Sequence, residues 1–205
     1  MTDAPQIYLI SPAQFVLSSF ATELAALLDD APVACMRLAL ASTDQDEVRR
    51  VADALRVVCH DRDVPLVIAD HYRIAAETGL DGVHLPGTKD IRAARKHLGD
   101  DAIIGSFGGA SRHTGMTAGE MGANYVSFGP VTETALGSGA VAETTLFQWW
   151  TDMIEVPVVA EGAMTDAAAK ALAPCIDFLA LGDEIWSSSR GARAALAGFR
   201  AAMSE

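Results

Sequence analysis

The chain has 205 residues, of which 50% are hydrophobic and 20% are charged, a balance typical of a globular protein with a large core. Its 27 acidic and 15 basic residues give a formal charge of −12, which disfavours binding to nucleic acid and to anionic membranes. The longest apolar runs, such as residues 156–160, are far shorter than the ~20 residues that a membrane-spanning helix needs. We therefore expect no nucleic-acid partner and no membrane span.

The amino terminus and the cysteines favour a cytoplasmic location. Residues 1–6 contain no basic segment followed by an apolar one, so no secretory signal is predicted. Cys35, Cys59 and Cys175 lie far apart without a Cys-x-x-Cys pair, which argues against a disulfide framework and against a zinc site. We expect these cysteines to be reduced and mostly buried.

Short β-rich apolar runs alternate with Ala- and Leu-rich stretches of helical period, which indicates βα units around a parallel sheet. The predicted strands are Gln6–Ile10, Val33–Leu38, Pro65–Ile68, Gly82–Leu85, Ala102–Ser106, Tyr125–Phe128, Val156–Ala160 and Phe178–Leu181. The predicted helices are Ala13–Leu28, Asp44–Arg62, Tyr72–Thr78, Asp90–Leu98, Thr114–Met121, Thr145–Met153, Thr165–Ala173 and Arg190–Met203. Eight such units predict a (β/α)8 TIM barrel, with residues 1–205 as a single domain. An open doubly wound sheet is the alternative, but no Gly-x-Gly-x-x-Gly follows the first strand.

A turn-forming Asp or Asn precedes three of the even-numbered strands by one residue. These residues are Asp81, Asn124 and Asp177. We expect each side chain to cap the turn between a helix and its strand, as in many αβ loops. The repetition at even-numbered strands suits a closed barrel.

Arg37 is the most informative residue at the carboxyl ends of the strands, where parallel barrels carry their active sites. It interrupts an apolar strand, and burying a guanidinium costs several kcal/mol unless an anion or carboxylate meets it. Arg37 therefore either binds an anionic substrate or forms an ion pair inside the barrel with Asp70 or Glu161.

Two glycines follow the last two strands, where this fold commonly binds phosphate through backbone N–H groups. They are Gly162 and Gly182. The neighbouring carboxylates of Glu161 and Asp183 would repel a phosphate if they pointed inward, and tight turns are the alternative role of the glycines.

Asp70 and Asp90 are candidate ligands for Mg²⁺, which prefers one or two carboxylates together with substrate phosphate oxygens. Each is weak evidence alone, because Asp is common at strand ends and helix caps. His84 points either toward the barrel mouth or into the core.

The strand ends, taken in order, resemble the thiamine phosphate synthase family, which includes the related thiazole tautomerases. The resemblance covers nearly the whole chain and rests on Ile7–Ile10, Met36-Arg37, Leu66–Asp70, Gly79–Leu85, Ile103–Ser106, Gly122–Val131 with Thr134, and Pro157–Gly162.

This resemblance implies that hydroxymethylpyrimidine diphosphate and thiazole phosphate condense to thiamine phosphate, with release of diphosphate. Arg37, Ser106 and Thr134 would form the catalytic site, in which Arg37 and Thr134 also bind substrate. Gly162 and Gly182 would hold the thiazole phosphate. Asp70 and Asp90 would bind Mg²⁺, which assists departure of the diphosphate.

The chain also departs from the family pattern. Ala39 and Gly137 stand where the family has lysines, and Lys89, Arg112 and His113 are the nearby replacements. A thiazole tautomerase needs no diphosphate pocket, but Pro130 stands where that branch has its histidine. A non-catalytic barrel that binds a small phosphorylated ligand is the third alternative. The partner is in each case a small phosphorylated molecule, and the sequence leaves open whether the chain forms a homo-oligomer.

Overall fold

Eight parallel strands close into a barrel in chain order in the computed structural model, which describes residues 4–204. The strands are β1 (Gln6–Ile10), β2 (Cys35–Leu38), β3 (Leu66–Ala69), β4 (Gly82–Leu85), β5 (Ile103–Phe107), β6 (Tyr125–Phe128), β7 (Val158–Ala160) and β8 (Phe178–Leu181). Strand β8 pairs with β1, so the sheet has no free edge. The predicted (β/α)8 barrel is confirmed; residues 1–3 and 205 of the predicted domain lie outside the described residues.

Helices follow the strands around the outside of the barrel. They are α1 (Leu17–Asp30), α2 (Gln45–His60), α3 (Tyr72–Thr78), α4 (Ile91–Leu98), α5 (Arg112–Glu120), α6 (Thr144–Met153), α7 (Asp166–Leu172), α8 (Asp183–Trp186) and α9 (Ala192–Met203). Helix α1 begins later than predicted because the carbonyl of Ala13 accepts a hydrogen bond from the amide of Ala41, at 2.8 Å. Helix α8 was not predicted, since four residues are too few to show a helical period.

The Asx residues before even-numbered strands bind the neighbouring strand rather than their own turn, which corrects the predicted capping role. The side chain of Asp81 accepts the amide of Leu66 at 2.7 Å, and that of Asp177 accepts the amide of Val158 at 2.7 Å. Asn124 accepts the amide of Ile104 in the same way, at 2.8 Å. Each bond satisfies a strand N–H that would otherwise lack a partner at the amino-terminal end of the barrel.

The barrel interior is narrow and filled by side chains. One layer consists of Tyr8, Cys35, Val67, Tyr125, Val159 and Ala180, all buried. Gly105 makes room for this layer, because a Cβ atom there would lie 2.0 Å from Cζ of Tyr125. The three cysteines are unpaired and buried, as expected. Within residues 4–204, no helix is long and apolar enough to cross a membrane.

Candidate active site

The candidate residues cluster unevenly around the carboxyl-terminal rim, defined here as the barrel end at which the strands finish. Arg37 lies inside the barrel on β2. Asp70 is the first residue after β3, Gly162 is the second residue after β7, and Gly182 is the first residue after β8. Asp90 precedes α4, and Thr134 lies in the loop between β6 and α6. None of these residues lies at the opposite end of the barrel.

Arg37 forms an ion pair with Glu161, the residue that follows β7. Nη2 of Arg37 contacts Oε2 of Glu161, and the two side chains are only 9% and 3% exposed. The other carboxylate oxygen of Glu161 accepts a hydrogen bond from Oγ of Ser127 at 2.6 Å. Of the two alternatives that the sequence left open, the structure shows the ion pair, with Glu161 rather than Asp70 as the partner.

This ion pair controls the charges inside the barrel. Burial raises the pKa of Glu161, but the positive charge of Arg37, with a smaller contribution from His84, outweighs burial and brings the pKa to about 2. Burial, assisted by Arg37, lowers the pKa of His84 to about 3. At neutral pH the interior therefore contains one cation, one anion and a neutral imidazole, and its net charge is near zero.

Two tyrosines extend this polar group toward the amino-terminal end of the barrel. Nδ1 of His84 and the hydroxyl of Tyr125 are 2.9 Å apart, and the hydroxyls of Tyr125 and Tyr8 are 2.7 Å apart. The guanidinium of Arg37 also lies over the ring of Tyr8, 5.6 Å from its centroid. Burial raises the pKa values of Tyr8 and Tyr125, so both hydroxyls stay protonated and can bridge the polar groups. His84 thus belongs to the core rather than to the mouth.

Ser106 does not reach the rim, which corrects the expectation that it lies in the catalytic site. Its strand partners are Leu85 and Val126, and both pack in the layer between the strands and the helices. Ser106 is fully buried there, and its Oγ has no hydrogen-bond partner within residues 4–204. Side chains alternate along a strand, so the inward positions of β5 belong to Gly105 and Phe107 instead.

Asp70 and Asp90 flank the neighbouring strands β3 and β4 at the rim. Asp70 is exposed and has a left-handed backbone, with φ of 65°, and its amide donates to the carbonyl of His84 at 2.9 Å. Asp90 caps α4 without a hydrogen bond from its side chain. Among the residues that the structure describes, no group of three or more His, Cys, Asp or Glu side chains could hold a metal ion. A divalent cation at Asp70 and Asp90 would therefore need further oxygen ligands from the substrate.

The loop between β6 and α6 covers the rim beside β7. Thr132 donates from Oγ1 to the carbonyl of Ala163 at 2.6 Å, and the amide of Val131 donates to the carbonyl of Gly162 at 3.0 Å. Leu136 lies so close to Gly162 that a Cβ atom on this glycine would be 2.7 Å from Cδ2 of the leucine. Thr134 is exposed on this loop. The anchoring role of Thr132 could not be predicted, because a single threonine in a polar loop forms no recognisable pattern.

A carboxylate already occupies the main-chain donors beside Gly162 and Gly182. Oε2 of Glu184 accepts the amide of Gly182 at 2.7 Å, and Oε1 accepts the amide of Met164 at 3.0 Å. Asp183, the carboxylate expected to oppose a phosphate here, is exposed instead. The role of Glu184 was not predicted, because its position two residues beyond Gly182 does not reveal that the side chain turns back toward the glycine amide.

The replacement cations that the sequence suggested lie outside the barrel. Lys89 is exposed, and Arg112 packs over the ring of Trp149 with 4.5 Å between Cζ and the centroid. Nη2 of Arg112 is 3.4 Å from the carbonyl oxygen of Thr145, on the first turn of α6. Arg37 is the only buried Lys or Arg in residues 4–204, and it is paired. The interior therefore offers a ligand no unpaired cation.

The matching family model and the relatives of similar sequence indicate one family. A model of the family described as thiamine monophosphate synthase matches residues 7–185. The thiamine-phosphate synthase of Rhodospirillum centenum is 40% identical over 207 residues, covering 99% of each chain. That of Erythrobacter litoralis is 37% identical over 207 residues, covering 97% of this chain and 95% of the relative. Among solved structures, thiamine phosphate pyrophosphorylase from Pyrococcus furiosus is similar in fold, with a TM-score of 0.82 at 20% identity, over 97% of this chain and 95% of that one.

Proposed function

The chain belongs to the thiamine monophosphate synthase family, and from this premise we propose that it condenses hydroxymethylpyrimidine diphosphate with thiazole phosphate to give thiamine phosphate and diphosphate. The observation that carries this function is the match to thiamine-phosphate synthases over at least 95% of both chains. The matched residues 7–185 include the eight strands except Gln6 at the start of β1, which supports one functional domain over residues 1–205.

The reaction breaks the bond between the pyrimidine methylene carbon and a diphosphate oxygen, and it forms a bond from that carbon to the thiazole nitrogen. Negative charge accumulates on the leaving diphosphate, so the main catalytic demand is to stabilise that charge. We assign this role to the rim around Asp70 and Asp90. These two carboxylates would hold Mg²⁺ together with oxygens of the substrate, and the ion would supply positive charge next to the leaving group.

In this proposal Arg37 has a structural role inside the barrel and does not bind the diphosphate directly. Its pairing with Glu161 leaves Nη2 unavailable to a diphosphate, and its Nε has no hydrogen-bond partner within residues 4–204. Because the pair is close to neutral, the diphosphate gains little Coulombic attraction from the interior. Arg37 would therefore contribute little to the departure of the diphosphate.

We assign the thiazole phosphate to the opposite part of the rim, next to Gly162 and Gly182. Backbone N–H groups can hold a phosphate monoester there without a lysine. We also assign a contact with this ligand to Thr134, which is exposed on the loop that covers Gly162. The partner is thus a small phosphorylated molecule, and the unpaired cysteines favour the cytoplasm, where thiols stay reduced.

The test is a steady-state assay of the purified protein with both substrates and Mg²⁺, in which thiamine phosphate is measured by mass spectrometry. We expect product from the wild-type protein, strong loss of kcat in Asp70→Asn, and little change in the control Asp100→Asn, an exposed Asp in the loop before β5. Rearrangement of a thiazole phosphate without diphosphate chemistry would favour a tautomerase. Binding of both ligands without any product would favour a non-catalytic barrel.

A further inference from the structure

We propose that Glu184 is a specificity-determining residue, whose carboxylate competes with the ligand phosphate for the amides of Met164 and Gly182. This inference rests on the proposed function, since it concerns the part of the rim assigned to the thiazole phosphate. The two amides come from two different loops, one after β7 and one after β8, and a single carboxylate joins them. Glu184 thus binds these donors as an external anion would.

The surrounding backbone is shaped to present these donors. Gly162 and Ala163 both have left-handed backbones, with φ of 89° and 52°, and this turn precedes the amide of Met164. Ala163 is strained in this conformation, because its Cβ atom disfavours positive φ. The strain is retained next to an amide that donates to a carboxylate, which fits a segment built to bind negative charge.

The structure lets the Glu184 side chain move without its helix. Trp186 fixes α8 to the barrel through a hydrogen bond from Nε1 to the carbonyl of Ile10 at 2.6 Å, and Ile185 is fully buried. Glu184 itself is only half-buried. A rotation of its side chain would free the amides of Met164 and Gly182 while the strand ends and α8 stay in place.

Competition of this kind favours a phosphate monoester over weaker anions. A phosphate monoester carries a charge of about −1.5 to −2 at pH 7 and three acceptor oxygens, whereas the Glu184 carboxylate carries one charge and two oxygens. A dianionic phosphate can therefore displace Glu184 from the two amides. Carboxylates and unphosphorylated thiazoles would bind these amides too weakly to displace it. The cost is a lower apparent affinity, because the binding-competent form, with Glu184 rotated away, is a minor fraction.

The test is calorimetric titration of inorganic phosphate into wild-type protein, Glu184→Gln and Asp183→Asn. Glu184→Gln keeps the shape of the side chain and removes its charge, and we expect about tenfold tighter phosphate binding. Asp183→Asn removes an adjacent, exposed charge that binds neither amide, so its affinity should change less than about threefold. Unchanged binding in Glu184→Gln, or an equal gain in Asp183→Asn, would overturn the proposal.

A second measurement on the wild-type protein decides the matter if Glu184→Gln fails to fold. In a phosphate titration followed by NMR, the amide resonances of Met164 and Gly182 should shift together and saturate; the absence of these shifts would overturn the proposal. Both readouts are independent of turnover. If phosphate binds as expected but no thiamine phosphate is made, only the proposed function is contradicted. If thiamine phosphate is made but Glu184→Gln does not change phosphate binding, only this inference is contradicted.

Discussion

Arg37 on β2 and Glu161, the residue that follows β7, form a buried ion pair across the barrel interior. Glu161 is held by Ser127 on its other oxygen, while Arg37 packs against the ring of Tyr8. A free buried guanidinium would attract a diphosphate strongly, but this pair supplies nearly no net charge. The arrangement explains how the chain can keep an arginine in a strand of this family and still present a weakly cationic site.

Removing one partner of this ion pair should destabilise the fold strongly. We expect Arg37→Met to lower the free energy of unfolding by about 3–5 kcal/mol, because the Glu161 carboxylate is left buried without its partner. The double variant Arg37→Met/Glu161→Met should lose clearly less, since no charge remains unpaired. Urea unfolding of both variants measures the difference, and a single variant as stable as the wild type would show that the pair is unimportant for folding.

The stability of the fold should fall as the pH is lowered from 7. The pKa of His84 is about 3 in the folded protein against an ordinary 6.5, so the unfolded chain takes up a proton below pH 6.5 that the folded chain does not. Below about pH 4.5 the same applies to Glu161, whose folded pKa is about 2. Each group then lowers the free energy of unfolding by up to about 1.4 kcal/mol per pH unit.

His84→Gln separates these two contributions. In this variant the loss of stability between pH 6.5 and about 3 should become smaller, and below pH 4.5 only the part caused by Glu161 should remain. The exposed His97, replaced by Gln in the same way, is the matched control. Urea unfolding midpoints at pH 7, 5 and 4 give the comparison, and parallel profiles for wild type and His84→Gln would contradict the assignment.

The Asx residue before β8 should contribute to stability through the neighbouring strand. In Asp177→Ala the buried amide of Val158 loses its side-chain acceptor, and we expect a loss of about 1–3 kcal/mol. The control Asp100→Ala removes an exposed Asp in an equivalent loop and should cost less than about 0.5 kcal/mol. Equal effects of the two substitutions in thermal or urea unfolding would refute the role of the bond to Val158.

Sequence periodicity predicted the barrel well because each strand is a short apolar run between stretches with a clear helical period. Strands β1, β4, β6 and β8 have the predicted bounds, β2 and β7 begin two residues later than predicted, and β3 and β5 are shifted by one residue at both ends. The direction of side chains at the strand ends was harder to predict. The sequence pattern predicts Ser106 at the rim, whereas its side chain lies between the strands and the helices. A shift of one residue along a strand is enough to move a side chain to the other face.

Contacts between side chains far apart in the sequence were also not predictable from the sequence. Periodicity identified Arg37 as unusual, yet choosing between a substrate and a carboxylate partner required knowing that Glu161 points inward across the barrel. Glu184 was overlooked for a similar reason, because its role depends on a side chain that folds back onto amides of two loops. Such contacts join residues that no local pattern relates.

The charge arrangement at the rim is tested most directly by calorimetric titration of thiazole phosphate and hydroxymethylpyrimidine diphosphate, each with and without Mg²⁺. The loop between β6 and α6 has no Lys or Arg between Val131 and Glu143, and Arg37 is neutralised by Glu161. We therefore predict higher affinity for the thiazole phosphate, held by backbone amides, than for the more highly charged diphosphate. Tight, Mg²⁺-dependent binding of the diphosphate that exceeds the affinity for thiazole phosphate would contradict this arrangement.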